Sequence, residues 1–287
     1  MKNQITILIP TLFNFSGVIK LSQWLVNHHC STIIIDNNPS DAKRKIFDYK
    51  EVLHLPQPHN LGFAAAINLG SKKVNTPWML ILNDDIEFID KSIIDQLITV
   101  AKKNHWSAIS PILQKPSGDI ENLGYTLLPL GKIKLNYDLE FKNLDGITAA
   151  CLLIKTDVFK SLGGFDERFF AYLEDVDLFI RLKKAGHKFG IAQDITVIHN
   201  HMTTSSKMGN FKQKMDLRNW VYLIMKHWTL QVFFSNFLVI FVERLRNLSG
   251  YLRATHQAYG WKSLYIIPKE LLVIFVEIIA FGLNIKL

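Results

Sequence analysis

Two adjacent carboxylates, Asp84 and Asp85, stand just past an unbroken apolar run, Trp78 to Leu82, with Asn83 between them. Like charges side by side repel, and they are costly unless water, donors or a cation neutralises them. A hard divalent cation such as Mg²⁺ or Mn²⁺ takes oxygen ligands, keeps water and commonly uses one or two carboxylates with substrate phosphates. The pair therefore suits a metal–diphosphate complex, and equally a helix cap near Lys91 or a solvated turn. A second acidic group lies in "FAYLEDVDLFIRLKKAG". On a helix, Glu174, Asp177 and Arg181 share a side at spacings of three and four, while Asp175 points about 100° away from Glu174. Asp177 can simply pair with Arg181, and all three acids lie near a helix N-terminus, where the dipole favours negative charge. For Asp175 the chemical reading is a general base, which must come within about 2.6–3.2 Å of an acceptor hydroxyl. Phe169, Phe170 and Tyr172 beside these acids suit a sugar, combining polar grips with flat apolar faces.

The elements that must position these residues alternate. "QITILI", "STIIID", "EVLHL" and "PWMLILN" read as strands, and Ser16 to His28, Phe63 to Lys73 and Lys91 to Lys103 have helical spacing. "SAISPIL" and "ITAACLLIK" add strands, and "HKFGIA" and "DITVIHNH" two more short ones; residues 116 to 143 read as loops and an irregular hairpin. Strand–helix–strand alternation predicts an α/β fold, a mostly parallel sheet with helices on both faces, and ligands at the carboxyl ends of its strands. Pro10-Thr11, Asp36-Asn37-Asn38 and Asn83-Asp84-Asp85 would converge on that edge.

The chain has 287 residues, 48% of them hydrophobic, which supports a sizeable core and argues against disorder. Cys30 and Cys151 are far apart and lack metal-ligand spacing, as in a reducing compartment. "MKNQITILIPT" reads as a first strand rather than a signal peptide. The net charge is +8, but residues 1–206 hold 22 basic and 21 acidic groups, whereas Lys207 onward holds eleven and four. The basic character belongs to the tail, without the basic, aromatic-studded strand face or zinc-finger pattern of a nucleic-acid binder. That tail is strongly apolar. Its longest stretch without a formal charge, His227 to Val242, is sixteen residues, short of the roughly 20 that a membrane-spanning helix needs. Helices packed on the rest of the chain, helices lying in a membrane interface with Arg244, Arg246, Arg253 and Lys262 toward lipid phosphates, and a true span all stay open.

In order along the chain, "ILIPT", "IIIDNNPSD", "NLGFAAAINLG", "LILNDDIEF", "LGGFDERFFAYLEDVDLFIRLKKAG", "VIHNH" and the Arg218-Asn219 pair resemble the inverting nucleotide-sugar glycosyltransferases of family 2, which have the GT-A fold. Within that family the chain is similar to the bacterial rhamnosyltransferase-like branch that builds surface polysaccharides, over roughly residues 4 to 220. The resemblance implies that Asp36 meets a pyrimidine N3–H, with Pro10 and Thr11 framing the base. It puts Asn38, Asn60, Gly62 and Asn68 in the nucleotide pocket, the glycine allowing close approach, and Asp84 near the ribose and the metal, which either aspartate could dominate. Asp85 would hold the metal, joined by His199 or its neighbour His201. Asp175 would be the base, and Glu174, Asp177 and Tyr172 would shape the acceptor site. The sequence departs from the family where Leu12-Phe13-Asn14 follows Pro-Thr, where Asp84 replaces a common Pro, and where Ala149 replaces a frequent Gly.

On this reading residues 1–210 form the catalytic domain, with a nucleotide-sugar half (1–110) and an acceptor half (111–210), and 211–287 a helical, membrane-associating region. The implied activity is metal-dependent (Mg²⁺ or Mn²⁺), inverting transfer of a sugar from a UDP- or dTDP-linked donor to a glycan or lipid-linked glycan. It would occur in the cytoplasm at the inner membrane face, with homo-oligomers possible and no role for nucleic acid. The alternative is a nucleotide-binding scaffold whose catalytic centre has lapsed.

Overall fold

The structure, a computed structural model, describes residues 4–38, 50–88, 90, 92–128, 132–140, 143–200 and 209–285. Lys91 and His201 lie outside the described residues. The chain divides into two compact units, one of Met1–Thr126, Lys134–Phe170 and Glu174–Met202, the other of Leu127–Ile133, Ala171–Leu173 and Thr203–Leu287.

The first unit is built on a mixed sheet. Its opening half runs β1 (Ile5–Thr11), α1 (Phe15–Asn27), β2 (Ser31–Asp36), β3 (Val52–Pro56), α2 (Gly62–Ser71), β4 (Trp78–Leu82), β5 (Ile86–Glu87) and α3 (Ile93–Lys103). Then come β6 (Ala108–Gln114), β7 (Ile120–Asn122), β8 (Tyr125–Leu128), β9 (Lys132–Leu135), β10 (Cys151–Lys155), α4 (Thr156–Ser161), α5 (Glu174–Lys184) and β11 (Phe189–His199). Strand order is β3-β2-β1-β4-β10-β6-β11-β5, with β7 also on β6 and β8-β9 a separate pair.

The pairs β3-β2, β2-β1, β1-β4 and β6-β11 are parallel. β10 enters antiparallel between β4 and β6, and β5 and β7 are antiparallel additions. Sequence periodicity could not show that reversal, because a buried strand reads alike in either direction.

Side-chain alternation divides the core between the two faces of the sheet. Ile5, Ile7, Ile9, Trp78, Leu80 and Leu82 pack with Val18, Leu21 and Leu25 of α1 and Ile94 and Leu97 of α3. Leu8, Met79 and Ile81 pack with Ala64 and Ile67 of α2, Val158 of α4 and Leu178 and Leu182 of α5. β4, between two strands and under helices on both faces, is therefore buried throughout and apolar throughout. The "HKFGIA" and "DITVIHNH" segments correct the expectation of two strands. They form the single β11, whose register on β6 shifts between Ala192 and Thr196.

The second unit is helical, with α6 (Phe211–His227), α7 (Leu230–Ser235), α8 (Phe237–Tyr259) and α9 (Ser263–Gly282). Polar side chains knit it together: Asn210 donates to Thr255 and Glu270, Tyr251 to Glu270, and Lys214 and Arg218 pair with Glu270 and Glu277 at 3.1 Å. The Asn219 amide donates to the carbonyls of Ala171 and Tyr172 at 2.9 and 2.7 Å. Tyr172 and Leu173 have φ of +67° and +66°, a strained conformation for such residues, and these bonds hold two of the peptides involved. Large apolar side chains on α7, α8 and α9 face solvent, among them Leu230, Phe234, Leu238, Leu264 and Phe275, with Trp261 between α8 and α9. Among the described residues, no helix is long and apolar enough to cross a membrane.

Candidate active site

Three parallel strands end together. Thr11 lies opposite Asp36 in the β1-β2 register, and Asn37 donates its N–H to the Thr11 carbonyl at 2.8 Å. Asp84 follows β4 and turns inward: Thr11 Oγ1 donates to its Oδ2 at 2.7 Å, and Asn14, the cap of α1, donates to its carbonyl at 3.0 Å. Burial pushes the Asp84 carboxyl up to about 7; the bond from Thr11 opposes this and the charge of Asp85 adds to it.

Asp85 turns the other way. The antiparallel pairing of β5 with β11 sets His199 opposite Ile86, and the Asp85 carbonyl accepts the Asn200 N–H at 2.9 Å. His199 Nε2 lies 3.0 Å from Asp85 Oδ1, ion-pair distance, yet Oδ1 is buried without a hydrogen bond of good geometry. The other ring nitrogen, Nδ1, meets Glu121 Oε2 at 2.7 Å. Burial opposes charge on the ring, but the carboxylates of Asp85 and Glu121 outweigh it and push the pKa up to about 9.

The donor set fits a hard divalent cation: a carboxylate oxygen lacking a hydrogen bond faces an imidazole nitrogen. Among the described residues, no cluster of three or more His, Cys, Asp or Glu side chains is arranged to hold a metal. Asp85 and His199 would hold such a cation, with water and phosphate among its other ligands.

The base candidate joins this edge through β10. Asn83 N–H donates to Ala150 O at 2.8 Å, and the adjacent Ala149 N–H approaches Asp175 Oδ2 at 3.4 Å. Asp175 Oδ1 accepts from Val176 N–H at 2.8 Å. Its surroundings push the carboxyl up to about 6 by burial, against these backbone bonds. Glu174 is more deeply buried, with Oε2 lacking a hydrogen bond; burial and then the charge of Asp175 raise its pKa well above the ordinary carboxylate value.

Other expected site residues have different tasks. Asp36 is fully buried, accepting the Asn38 N–H at 3.0 Å and standing 3.2 Å from His54 Nε2. A base N3–H would have to compete with both. Asn68, expected in the nucleotide pocket, clamps a loop: its amide donates to Phe165 O and Glu167, and its oxygen accepts from Phe165 N–H. Asp177, expected at the acceptor, is fully buried against Arg181, whose remaining donors hold the carbonyls of Leu162 and Gly164. Asn68 and Arg181 thereby satisfy main-chain groups on either side of the Gly163-Gly164 turn, at Phe165 and at Leu162 and Gly164.

Gly62 has φ +78°, and a Cβ there would stand 2.6 Å from the Phe170 carbonyl oxygen. The close approach it permits in this structure is to the aromatic loop. Asn60 Oδ1 accepts the Gly62 N–H at 2.9 Å, while Asn37 donates to the Gly62 carbonyl and accepts from Leu61 N–H. Pro10 sits partly exposed at the end of β1. Tyr172 belongs to the second unit, where its ring lies 6.2 Å from that of Phe211. Sequence reading missed Glu121 and Asn14; Glu121 lies in the turn-rich stretch where no periodicity marks a strand.

The Glycosyl transferase family 2 model matches residues 7–163. The chain is 28% identical over 192 residues to the O-antigen biosynthesis protein RfbC of Myxococcus xanthus, covering 60% of this chain and 15% of that protein. It is 25% identical over 203 residues to the N-acetylglucosaminyl-diphospho-decaprenol L-rhamnosyltransferase of Mycobacterium tuberculosis, covering 59% and 66%. The chain thus spans less than two thirds of these relatives' lengths. Among solved structures, the mannosyltransferase PcManGT of Pyrobaculum calidifontis, in complex with GDP-Man and Mn²⁺, aligns with a TM-score of 0.57 at 11% identity, covering 98% of this chain and 86% of that one. The fold is that of the GT-A glycosyltransferases, and with more than half its length matched the chain belongs to glycosyl transferase family 2.

Proposed function

We propose that this chain is an inverting glycosyltransferase that moves a sugar from a UDP- or dTDP-linked donor to a hydroxyl of a growing surface glycan, carried on a lipid. One observation carries the reading: the Asn83–Ala150 and Ala149–Asp175 contacts tie the Asp84-Asp85 edge to Asp175, so that donor and base groups serve one edge of the sheet.

Asp175 accepts the proton as the acceptor hydroxyl attacks the anomeric carbon. The bond from that carbon to the diphosphate oxygen breaks, and the anomeric configuration inverts. A carboxyl raised to about 6 suits the task, because a base works best with a pKa near the working pH. Its bonds from Val176 and Ala149 fix its direction, and holding both sugars in attack geometry supplies much of the acceleration. A divalent cation, Mg²⁺ or Mn²⁺, bound by Asp85 and His199 would neutralise charge on the departing diphosphate, a contribution on the order of several kcal/mol. The nucleoside is framed by Pro10, Thr11, Asn38 and Asn60, with Asp36 and His54 beneath. Glu174 borders the acceptor.

Residues 1–210 form the catalytic region and 211–287 rest on the cytoplasmic face of the membrane. The apolar residues on α7 to α9 and the tail's basic surplus support this placement, since an anionic leaflet attracts each nearby Lys or Arg by about 1 kcal/mol. Full-length protein is expected to float with anionic liposomes, and a Leu264→Glu/Phe275→Glu variant to stay in the soluble fraction.

The test of the enzyme is a panel of nucleotide sugars with Mn²⁺ or Mg²⁺, reading donor hydrolysis and transfer. Turnover with one donor and an inverted product, followed by NMR, supports the reading. A retained anomeric configuration overturns single displacement. Binding of nucleotide without turnover of any donor favours a lapsed scaffold.

A further inference from the structure

Glu121 has no part in the chemistry above, yet its position is well defined. It lies on β7, which pairs antiparallel with β6 through Leu113↔Asn122 and Gln114↔Ile120. On its other side β6 pairs with β11 through Ile198↔Gln114, one residue before His199. The irregularity between Leu113 and Gln114 in the β6-β7 ladder is a device that re-aims a side chain. Glu121 Oε2 lies 2.7 Å from Nδ1 of His199, and Nε2 of the same ring lies 3.0 Å from Asp85 Oδ1. All three side chains are largely buried, at 16%, 8% and 12% exposure for Glu121, His199 and Asp85.

We propose that Glu121 is a positioning residue for a divalent cation held by Asp85 and His199. It accepts the Nδ1–H proton, which fixes the tautomer whose Nε2 carries the lone pair and holds the ring plane toward Asp85 Oδ1. This rests on the reading of Asp85 and His199 as cation ligands.

The physical grounds are specific. A neutral imidazole has one donor nitrogen and one acceptor, and the partner of one decides the role of the other. A carboxylate on the far nitrogen also raises the basicity of the coordinating one, as in carboxylate–histidine–metal triads. The two nitrogens of a ring diverge, so a carboxylate bound at Nδ1 stands away from a cation at Nε2 and serves as support rather than ligand. With so few protein ligands, the orientation of each weighs heavily.

Mn²⁺ binding, followed by the EPR signal of free Mn²⁺ in titrations of the full chain without nucleotide, tests the assignment. Glu121→Ala is expected to weaken binding by roughly 10–100-fold, the usual cost of losing an outer-shell partner. Glu121→Gln keeps an acceptor for Nδ1–H and is expected to weaken binding less; it also covers the case that the alanine variant does not fold. In a His199→Ala background, Glu121→Gln should cause no further loss, because the residue acts through the ring. Equal losses with and without His199 would make Glu121 a general source of negative potential and overturn the proposal. So would unchanged affinity in both Glu121 variants while His199→Ala weakens binding. If Asp85→Ala and His199→Ala also bind as the wild type does, the cation reading itself falls, an outcome distinct from either of those.

Discussion

Asp84 and Asp85 leave a strand, whereas Glu174 and Asp175 begin a helix, and both places set two acids side by side. At the strand end, the turn from Asn83 to Ile86 gives the two different partners. Asp84 goes inward to Thr11, and Asp85 goes toward His199. At the helix start, a turn of about 100° per residue separates them, and Glu174 is buried while Asp175 stays partly exposed beside Ala149. In both pairs one acid is fixed in the interior and its neighbour is left toward the site. Adjacent like charges are thus tolerated by giving them different surroundings, and the raised pKa of each inward member keeps the pair from carrying two full charges at once.

The division can be broken from either side. The largest effect is expected for Asp175→Asn, which should lower the turnover rate by roughly 10²–10⁴-fold with donor KM little changed, the range for loss of a general base. Steady-state kinetics with the donor found by the panel checks it; near-normal turnover would remove Asp175 from the role.

Next comes the third acid of the helix. Arg181→Ala leaves Asp177 as a buried, uncompensated charge and should destabilise the fold by about 3–5 kcal/mol in chemical denaturation. A loss below about 1 kcal/mol would mean that the pair behaves as a surface ion pair.

The strand-end pair separates on metal. Asp85→Ala should raise the Mn²⁺ needed for half-maximal activity by more than the roughly 10–100-fold lost with a supporting partner. Asp84→Asn keeps an acceptor for Thr11 and should shift it far less. Equal shifts would erase the distinction between the two aspartates.

The smallest effect is on pH. Asp175 titrates near 6 in the folded chain, above the ordinary 3.8. Transfer should therefore rise with pH through about 6, as the base ionises. Stability runs the opposite way: a raised carboxyl pKa favours the folded state below the unfolded value, and that contribution is lost as pH climbs through 6. Melting temperature should fall by a few degrees over that range, and Asp175→Asn should flatten the fall. A profile unaltered in the variant would assign the titration to another group.

The parallel half of the sheet was legible because β1, β2 and β4 are apolar runs ending in polar residues, and α1, α2 and α3 carry helical spacing. The acids Asp84, Asp85 and Asp175 stood out by type and spacing, and His199 through the family resemblance. The contact of Asp85 with His199, and the link from Asn83 through β10 to Asp175, could not be read there, because they depend on β10 reversing direction beside β4 and on the two-residue β5 joining β11. Asn68 and Asp177 make contacts within the protein, of which only the Asp177–Arg181 pair was legible from spacing. Polar residues on buried helix faces serve the loop they pack against, and a pattern of types does not say whether the nearest acceptor is a ligand or a carbonyl. Glu121 was invisible, since three residues are too few to show a period.

β11 advances from Ala192 to Thr196 while its partner advances only from Pro111 to Ile112, so residues 193–195 are looped out of the ladder. Beyond them, both neighbouring strands clamp the segment that ends in His199. Length changes confined to 193–195 can therefore be taken up as slack. One inserted residue between Thr196 and His199 would swing the imidazole to the reverse side of the sheet. His199 can thus tolerate changes of chain length a few positions upstream and almost none immediately before it.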